Sequence, residues 1–352
     1  MLSTEIASFR QSLRQQILSI HSRPSDQGLF EQLALSVFRY QATHNPIYRD
    51  YLQHLASKPE QVTDLSRVPF MPISFFKNHN ILTGFQPQPD TLTFASSGTT
   101  GEQTSRHFVS DPDLYDAIST RIFEQTYGSL GNFHIVALLP SYLERNNSSL
   151  VYMVQRFMAQ TGSDKSGFFL HNHHELTEQL RQLTQEPDQK KILLIGVTFG
   201  LLDWAESGQD LSFLGQNPNL IVMETGGMKG RRQELLREEV HQILIKALGI
   251  QTVHSEYGMT ELLSQAYSNG NGLFQPSPTL RVFLRDINDP FLIYPDDYKR
   301  TGGINVVDLA NLDSCSFIET QDLGQYDDNE GSFRVIGRFD NSDVRGCNLM
   351  VI

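Results

Sequence analysis

The sequence holds only two cysteines, Cys315 and Cys347, and one tryptophan among its 352 residues. Two cysteines give neither a zinc-ligand spacing nor a disulfide framework, and their scarcity fits a reducing compartment, with the cytoplasm as the default. Long apolar runs are missing too. No stretch reaches the roughly 18 residues of a membrane-spanning helix, and Met1 to Ser22 is polar and helix-prone, without the apolar centre of a secretory leader. Positive charge is scarce: 28 Lys and Arg stand against 40 Asp and Glu, a formal net charge of -12, which argues against nucleic acid as a partner. The densest basic cluster, Lys229 with Arg231 and Arg232, opens a helical pattern, where a structural or local phosphate-binding role suffices.

What remains is a globular composition, 39% hydrophobic and 19% charged, long enough to bury a large core or two to three fused subdomains. Apolar periodicity through Leu29, Leu33, Val37 and Phe38, then Tyr48, Tyr51 and Leu52 after a break at Asn45-Pro46, predicts a helical start. Pro69, Pro72 and Phe75-Phe76 form an irregular passage, either a buried packing turn or a pocket lining. From Thr91 strands and helices alternate. Strands are expected at Thr91 to Phe94, His134 to Leu139, Ile192 to Val197 and Asn219 to Met223. Helices are expected from Asp111-Pro112 to about Gly128, from Ser148 through Ala159, over Glu175 to Leu183 and from about Arg231 to Ala247. This rhythm predicts an α/β protein with a mostly parallel sheet covered on both faces. Beyond Gln275 the pattern becomes strand and turn, at Leu280 to Leu284, Phe291 to Tyr294, Ile304 to Val307, Ser316 to Thr320 and Phe333 to Ile336. A small β-rich subdomain, compactly attached, is expected there.

Four segments carry chemistry. Ser96, Ser97, Gly98, Thr99, Thr100 and Gly101 follow a predicted strand, and glycines with hydroxyls can converge on phosphate oxygens. No lysine follows in the register of a P-loop, and an ordinary polar turn is the competing reading. In Ser255 to Glu261, Tyr257 can stack on a base, Thr260 can bond phosphate and Glu261 can bind magnesium, with Gly258 a further candidate cofactor contact. Core packing of Tyr257 and a helix-start position for Glu261 are the plain alternatives. Glu224-Thr225-Gly226-Gly227 brings backbone close to a flat ligand, or is only a strand-to-helix turn. Asp322 and Arg338, at β-turn positions in Thr320 to Gly324 and Gly337 to Asp340, suit ribose and phosphate, or a surface ion pair.

Ser96 to Gly101, Glu256 to Glu261, Thr320 to Gly324 and Gly337 to Asp340, in that order along the chain, resemble the adenylate-forming superfamily of acyl-CoA synthetases, peptide synthetase adenylation domains and firefly luciferase. More narrowly, Met71-Pro72-Ile73-Ser74-Phe75-Phe76-Lys77, Glu224 to Gly230 and Arg345-Gly346-Cys347 resemble the acyl-protein synthetases of bacterial bioluminescence, the LuxE-like family, from about residue 30 onward. The resemblance implies ATP and Mg2+ as cofactors, activation of a fatty acid or other carboxylic acid as its adenylate, and transfer of the acyl group to Cys347. It implies that Ser96, Ser97, Thr99 and Thr100 embrace phosphates, Gly226 and Gly227 flank adenine, and Tyr257 stacks on it. Thr260 and Glu261 handle phosphate and metal, while Asp322 and Arg338 hold ribose. An acyl-CoA reductase is the implied partner protein, and a homo-oligomer stays open.

The fold so implied is the adenylate-forming N-terminal domain: layered parallel sheets with helices and a small β-rich subdomain, the large mobile C-terminal domain being absent. Residues 1–80 form a helical region, 81–275 the nucleotide-binding core, 276–340 the β-rich part and 341–352 a tail carrying Cys347. Two further readings remain, a small acyl-CoA or aryl-CoA ligase using an external thiol and a degenerate acyl-binding subunit. Cys315, in a predicted β segment, is expected as a buried small hydrophobe. Phe199, Leu201, Leu202 and Trp204 line an acyl tunnel or, by default, the core.

Overall fold

The computed structural model describes residues 4–23, 26–96, 103–139, 147–170, 172–185, 188–227, 235–327 and 331–339. Three helices open the chain: α1 (Thr4–Ser19), α2 (Gln27–His44) and α3 (Pro46–His54). Asn45 makes the break between the last two. Its side chain accepts from the Tyr48 N–H at 3.0 Å, Pro46 occupies the first turn where its missing N–H costs nothing, and Asn45 Nδ2 donates to the Ser314 carbonyl at 3.0 Å. The irregular passage that follows is structural. Met71 and Pro72 (β1) pair in parallel with Ile318 and Glu319, and Phe76 in the short α4 (Phe75–Asn78) is fully buried.

A hairpin of β2 (Leu92–Ala95) and β3 (Arg106–Val109) stands apart from the main sheet. The α/β part comprises α5 (Pro112–Tyr127), β4 (Phe133–Leu138), α6 (Ser149–Thr161), β5 (Gly167–Phe169), α7 (His173–Gln185), β6 (Lys191–Gly196), α8 (Thr198–Ala205), β7 (Leu220–Glu224), α9 (Arg237–Leu248) and β8 (His254–Tyr257). The expected caps form: Asp111 and Ser148 accept from N–H groups in the first turns of α5 and α6, and Gly128 ends α5 at φ +91°. Strands β5, β4, β6, β7 and β8 are parallel neighbours. Alternate residues leave opposite faces. Ile135 and Ala137 join the core shared with Ile118, Ile122 and Phe157, whereas Val136 and Leu138 join the one built from Leu180, Leu201, Trp204 and Leu244.

The sheet then changes sense. β9 (Ala266–Ser268), β10 (Leu273–Pro276), β14 (Phe333–Arg338), β13 (Phe317–Tyr326), β12 (Gly302–Asp308) and β11 (Leu280–Arg285) continue it as antiparallel neighbours, giving one mixed 12-stranded sheet. The parallel expectation therefore holds for β4 to β8, and the β-rich part extends the same sheet. The helical start packs on that end, with Gln41 Nε2 donating to the carbonyls of Asn311 and Leu312 at 2.8 and 3.1 Å and Phe317 lying among Phe38, Tyr48 and Phe70.

Three expectations change. Phe291 to Tyr294 forms a single bridge, Arg285 with Ile293, instead of a strand. Helix α9 begins at Arg237, the expected start at Arg231 lying outside the described residues. Asp322 and Arg338 sit in strand ladders, directly opposite each other in β13 and β14, instead of in turns. Gly324 made that segment read as a turn, but it marks a register shift where a Cβ would lie 2.7 Å from Ile304 and 2.8 Å from the Arg334 carbonyl.

Candidate functional site

The parallel strands end along one edge, the place where an open α/β sheet leaves a crevice. Ser96 arrives there from β2. Its N–H donates to the Ser105 carbonyl at 3.1 Å and its hydroxyl accepts from the Ser105 N–H at 2.9 Å, which closes the base of the loop that follows. Ser97, Gly98, Thr99, Thr100 and Gly101 lie outside the described residues.

At the end of β7, Gly226 and Gly227 take φ values of +74° and +88°, where a Cβ is strained. Glu224 holds this turn. Its carboxylate accepts from the Gly226 N–H at 2.7 Å and the Thr198 hydroxyl at 2.9 Å, and pairs with Arg237 at 2.8 Å. Burial opposes its ionisation, but His241, the Arg237 charge, Ser255 and the Gly226 N–H outweigh burial and hold its pKa far below the usual carboxylate range. Arg237 also reaches the Val335 carbonyl at 3.4 Å and lies over the Phe274 ring, so it joins the two halves of the sheet.

The third group comes from β8 and the turn beyond it. The Tyr257 ring packs against Phe274 and Phe333, and its hydroxyl donates to Asp322 at 2.9 Å. Asp322 faces Arg338 at 3.7 Å; burial raises its pKa against the pull of that guanidinium. No helix begins at Glu261. Thr260 and Glu261 form a turn, fixed where the Thr260 carbonyl meets His107 Nδ1 at 2.8 Å and the Glu261 carbonyl accepts from Asn311 at 2.8 Å. Glu261 is buried, which raises its pKa; Ser105 and the Arg338 charge act against that rise, and Asp322 adds to it. Ser96, Tyr257, Thr260, Glu261, Asp322 and Arg338 are thus linked through Ser105 and through the charges they share.

Between these segments lies a cavity of about 220 Å³, reached by Ala95, Thr225, Gly258, Met259 and Thr260 and walled by Leu139 and the first turn of α6. A larger open cavity of about 1070 Å³, between α2 and β11, contains none of the segments that carry chemistry.

The acyl-protein synthetase family, LuxE, matches residues 14–352. The chain belongs to this family. Among solved structures, it is similar to an open conformation of 2-hydroxyisobutyryl-CoA ligase in complex with 2-HIB-AMP and CoA. That match has a TM-score of 0.63 at 14% identity, over 90% of this chain and 76% of the other. No curated protein matches. Family and fold together support an acyl-activating ligase.

For a member of this family, the two cysteines have different standing. Cys315 is fully buried, its thiol contacts the Phe317 carbonyl at 3.5 Å, and burial pushes its pKa up to about 12, which removes it as a nucleophile. Cys347 and Arg345 lie outside the described residues, as do Met228, Lys229 and Gly230. Leu201, Leu202 and Trp204 are core residues, the indole donating to Thr177 at 3.0 Å, so the tunnel reading of this segment fails for them. Among the described residues no helix is long and apolar enough to cross a membrane.

Among the described residues no three His, Cys, Asp or Glu gather as a metal site. A single buried carboxylate beside a threonine nevertheless suits Mg2+, which takes one or two carboxylates and completes its shell with phosphate and water. Glu261 has the burial that a cation would offset. Sequence reasoning missed His107 and gave Glu224 and Glu256 no role. The alternation in β3, which turns His107 inward with Val109, is the signal that exposes the first.

Proposed function

We propose that this chain activates a carboxylic acid as its adenylate at the carboxyl edge of the parallel strands, then transfers the acyl group to Cys347. The observation that supports it is convergence. Segments as far apart as Ala95, Thr225 and Thr260 line one cavity, and the adjoining Glu261 shares charge with Asp322 and Arg338, in a family of acyl-protein synthetases.

In the first half-reaction a carboxylate oxygen forms a bond to the α-phosphorus of ATP while the bond to the β-phosphate breaks, releasing pyrophosphate. The carboxylate is already ionised near neutral pH, so the protein's work is alignment and charge stabilisation. Ser96 to Gly101 and Thr260 hold phosphates, Gly226-Gly227 and Tyr257 border the base, and Asp322 with Arg338 takes the ribose. Glu261 would hold Mg2+, which supplies neutralisation of the phosphate charge. In the second half-reaction the Cys347 thiolate attacks the acyl carbon, a C–S bond forms, and AMP leaves with the shared oxygen. An acyl-CoA reductase is the partner proposed to consume the thioester.

The test is ATP-pyrophosphate exchange with short, medium, long and aromatic acids, followed by intact mass after incubation with ATP, Mg2+ and the best acid. Wild type and Cys315→Ser should gain one hydroxylamine-labile acyl group, and Cys347→Ser none while retaining exchange. Equal labelling of Cys347→Ser would remove the cysteine-acceptor step and leave adenylation standing. An external thiol is the second reading, favoured by the resemblance to a CoA ligase fold; adenylate consumption that requires added CoA would select it.

A further inference from the structure

The cavity at the carboxyl edge has a mouth and a floor. Ala95, Thr225 and Thr260 are half-exposed at the mouth, whereas Tyr115, Glu256 and Gln265 are buried below. The floor is mixed, with Leu139, Val151, Met153 and Leu262 beside these three, and two of its polar side chains are left without partners among the described residues. Gln265 Oε1 is buried without a hydrogen-bond partner among the described residues, and the Glu256 side chain makes no hydrogen bond or ion pair among them. The Tyr115 hydroxyl is already committed to the Ser149 carbonyl.

Gly258 shows that the carboxyl is built into this position. Its φ is ordinary, yet a Cβ there would lie 2.2 Å from Glu256 Oε1, so glycine at 258 leaves room for the carboxyl. A buried carboxyl and a buried amide oxygen without donors cost free energy that an apolar floor would avoid. Burial and the nearby Glu224 raise the Glu256 pKa to about 8. An alkyl tail laid on this floor would leave both groups unpaired, whereas a hydroxyl can donate to one and accept from the other, and an amino group can donate to both.

Size points the same way. A volume of about 220 Å³ accommodates a short acid. We infer that this cavity takes a short carboxylic acid bearing a hydroxyl or amino group on its chain, with Gln265 Oε1 accepting a hydrogen bond from that group and the Glu256 carboxyl pairing with its remaining lone pair or N–H. This rests on the adenylation reading and narrows its substrate.

The experiment compares butyrate, γ-hydroxybutyrate, γ-aminobutyrate and tetradecanoate with the full chain, by pyrophosphate exchange and by direct titration of each acid without nucleotide. A substituted acid should exceed butyrate by roughly tenfold, the worth of one good hydrogen bond, and tetradecanoate should be weakest. The hydroxyl and amino arms identify the donor. Glu256→Leu should lose the substituted acids by about that factor and favour butyrate, while Glu256→Gln, which keeps an acceptor oxygen, should retain much of the original order. Tetradecanoate as the best acid, equal handling of butyrate and both substituted acids, or no measurable affinity for any acid would overturn the inference. So would a folded Glu256→Leu protein that still discriminates as wild type does. If the acids bind in the expected order without supporting exchange, adenylation falls and the cavity's selectivity stands.

Discussion

The parallel and antiparallel halves of the sheet serve the cleft in opposite ways. From the parallel half come strand ends: β6, β7 and β8 stop along one edge, so Val197, Thr225 and Gly258 to Thr260 border the cavity just beyond them. From the antiparallel half come strand interiors. Asp322 and Arg338, proposed for the ribose, occupy facing positions of the β13–β14 ladder. A group carried on a turn depends on the backbone conformation of that turn, whereas a group carried on a ladder is positioned by register and can be changed alone.

The largest effect should come from cutting the join between the halves. Glu224→Ala removes the carboxylate that holds Arg237, Thr198 and Gly226, and should lower unfolding free energy by about 3–5 kcal/mol, as loss of one buried pair member does. Urea denaturation at neutral pH reads it; a midpoint equal to wild type would show that the halves are joined by other contacts. Asp322→Ala should spare stability by comparison but weaken ATP affinity about ten- to hundredfold, the worth of hydrogen bonds to a charged group. Titration with a non-hydrolysable ATP analogue checks this, and unchanged affinity would detach the ladder pair from the ribose.

Gly226→Ala should cost about 1–2 kcal/mol through backbone strain alone, because nothing lies within 4 Å of the added carbon. Gly258→Ala should change stability less and acid selectivity more, since its strain falls on the Glu256 side chain. A larger Tm loss for Gly258→Ala than for Gly226→Ala would reverse this assignment.

A last comparison is a pair of opposite pH slopes from neighbouring strands. Glu224 has a depressed pKa, so its stabilisation is complete above the ordinary value of 4.5 and is lost as pH falls below it. Glu256 has a pKa raised from 4.5 to about 8, so its protonated form favours the fold at low pH, and stability declines as pH rises between those values. Glu224→Gln should flatten the acid limb, and Glu256→Gln the decline toward pH 8. Urea midpoints across this range would expose an error in either sign.

Local signals were legible where they had only to act locally. Asp111 and Ser148 cap the helices their neighbours require, Asn45-Pro46 separates two helices, and the apolar run at His134 to Leu139 becomes a strand buried on both faces. The same reasoning misplaced Asp322 and Arg338, because Gly324 imitates a turn when its real constraint is Ile304 and the Arg334 carbonyl on neighbouring strands. Phe291 to Tyr294 failed for a related reason. Its β-like residues find only one bridge, and a strand needs a ladder partner as well as a propensity.

By itself the sequence determined the order of motifs, the acidic balance, the absence of long apolar runs and the residue types able to bind phosphate and ribose, because each is a property of neighbours along the chain. Tertiary structure decided which of them meet. Tyr257 reaches Asp322 from 65 positions away. Glu224 finds Arg237 across a strand-to-helix connection, and His107 meets Thr260 from a separate hairpin. Above all, only folding made Cys315 inert and left Glu256 and Gln265 facing a cavity. Burial and unpaired polar atoms arise from what surrounds a residue, and those surroundings come from distant parts of the chain.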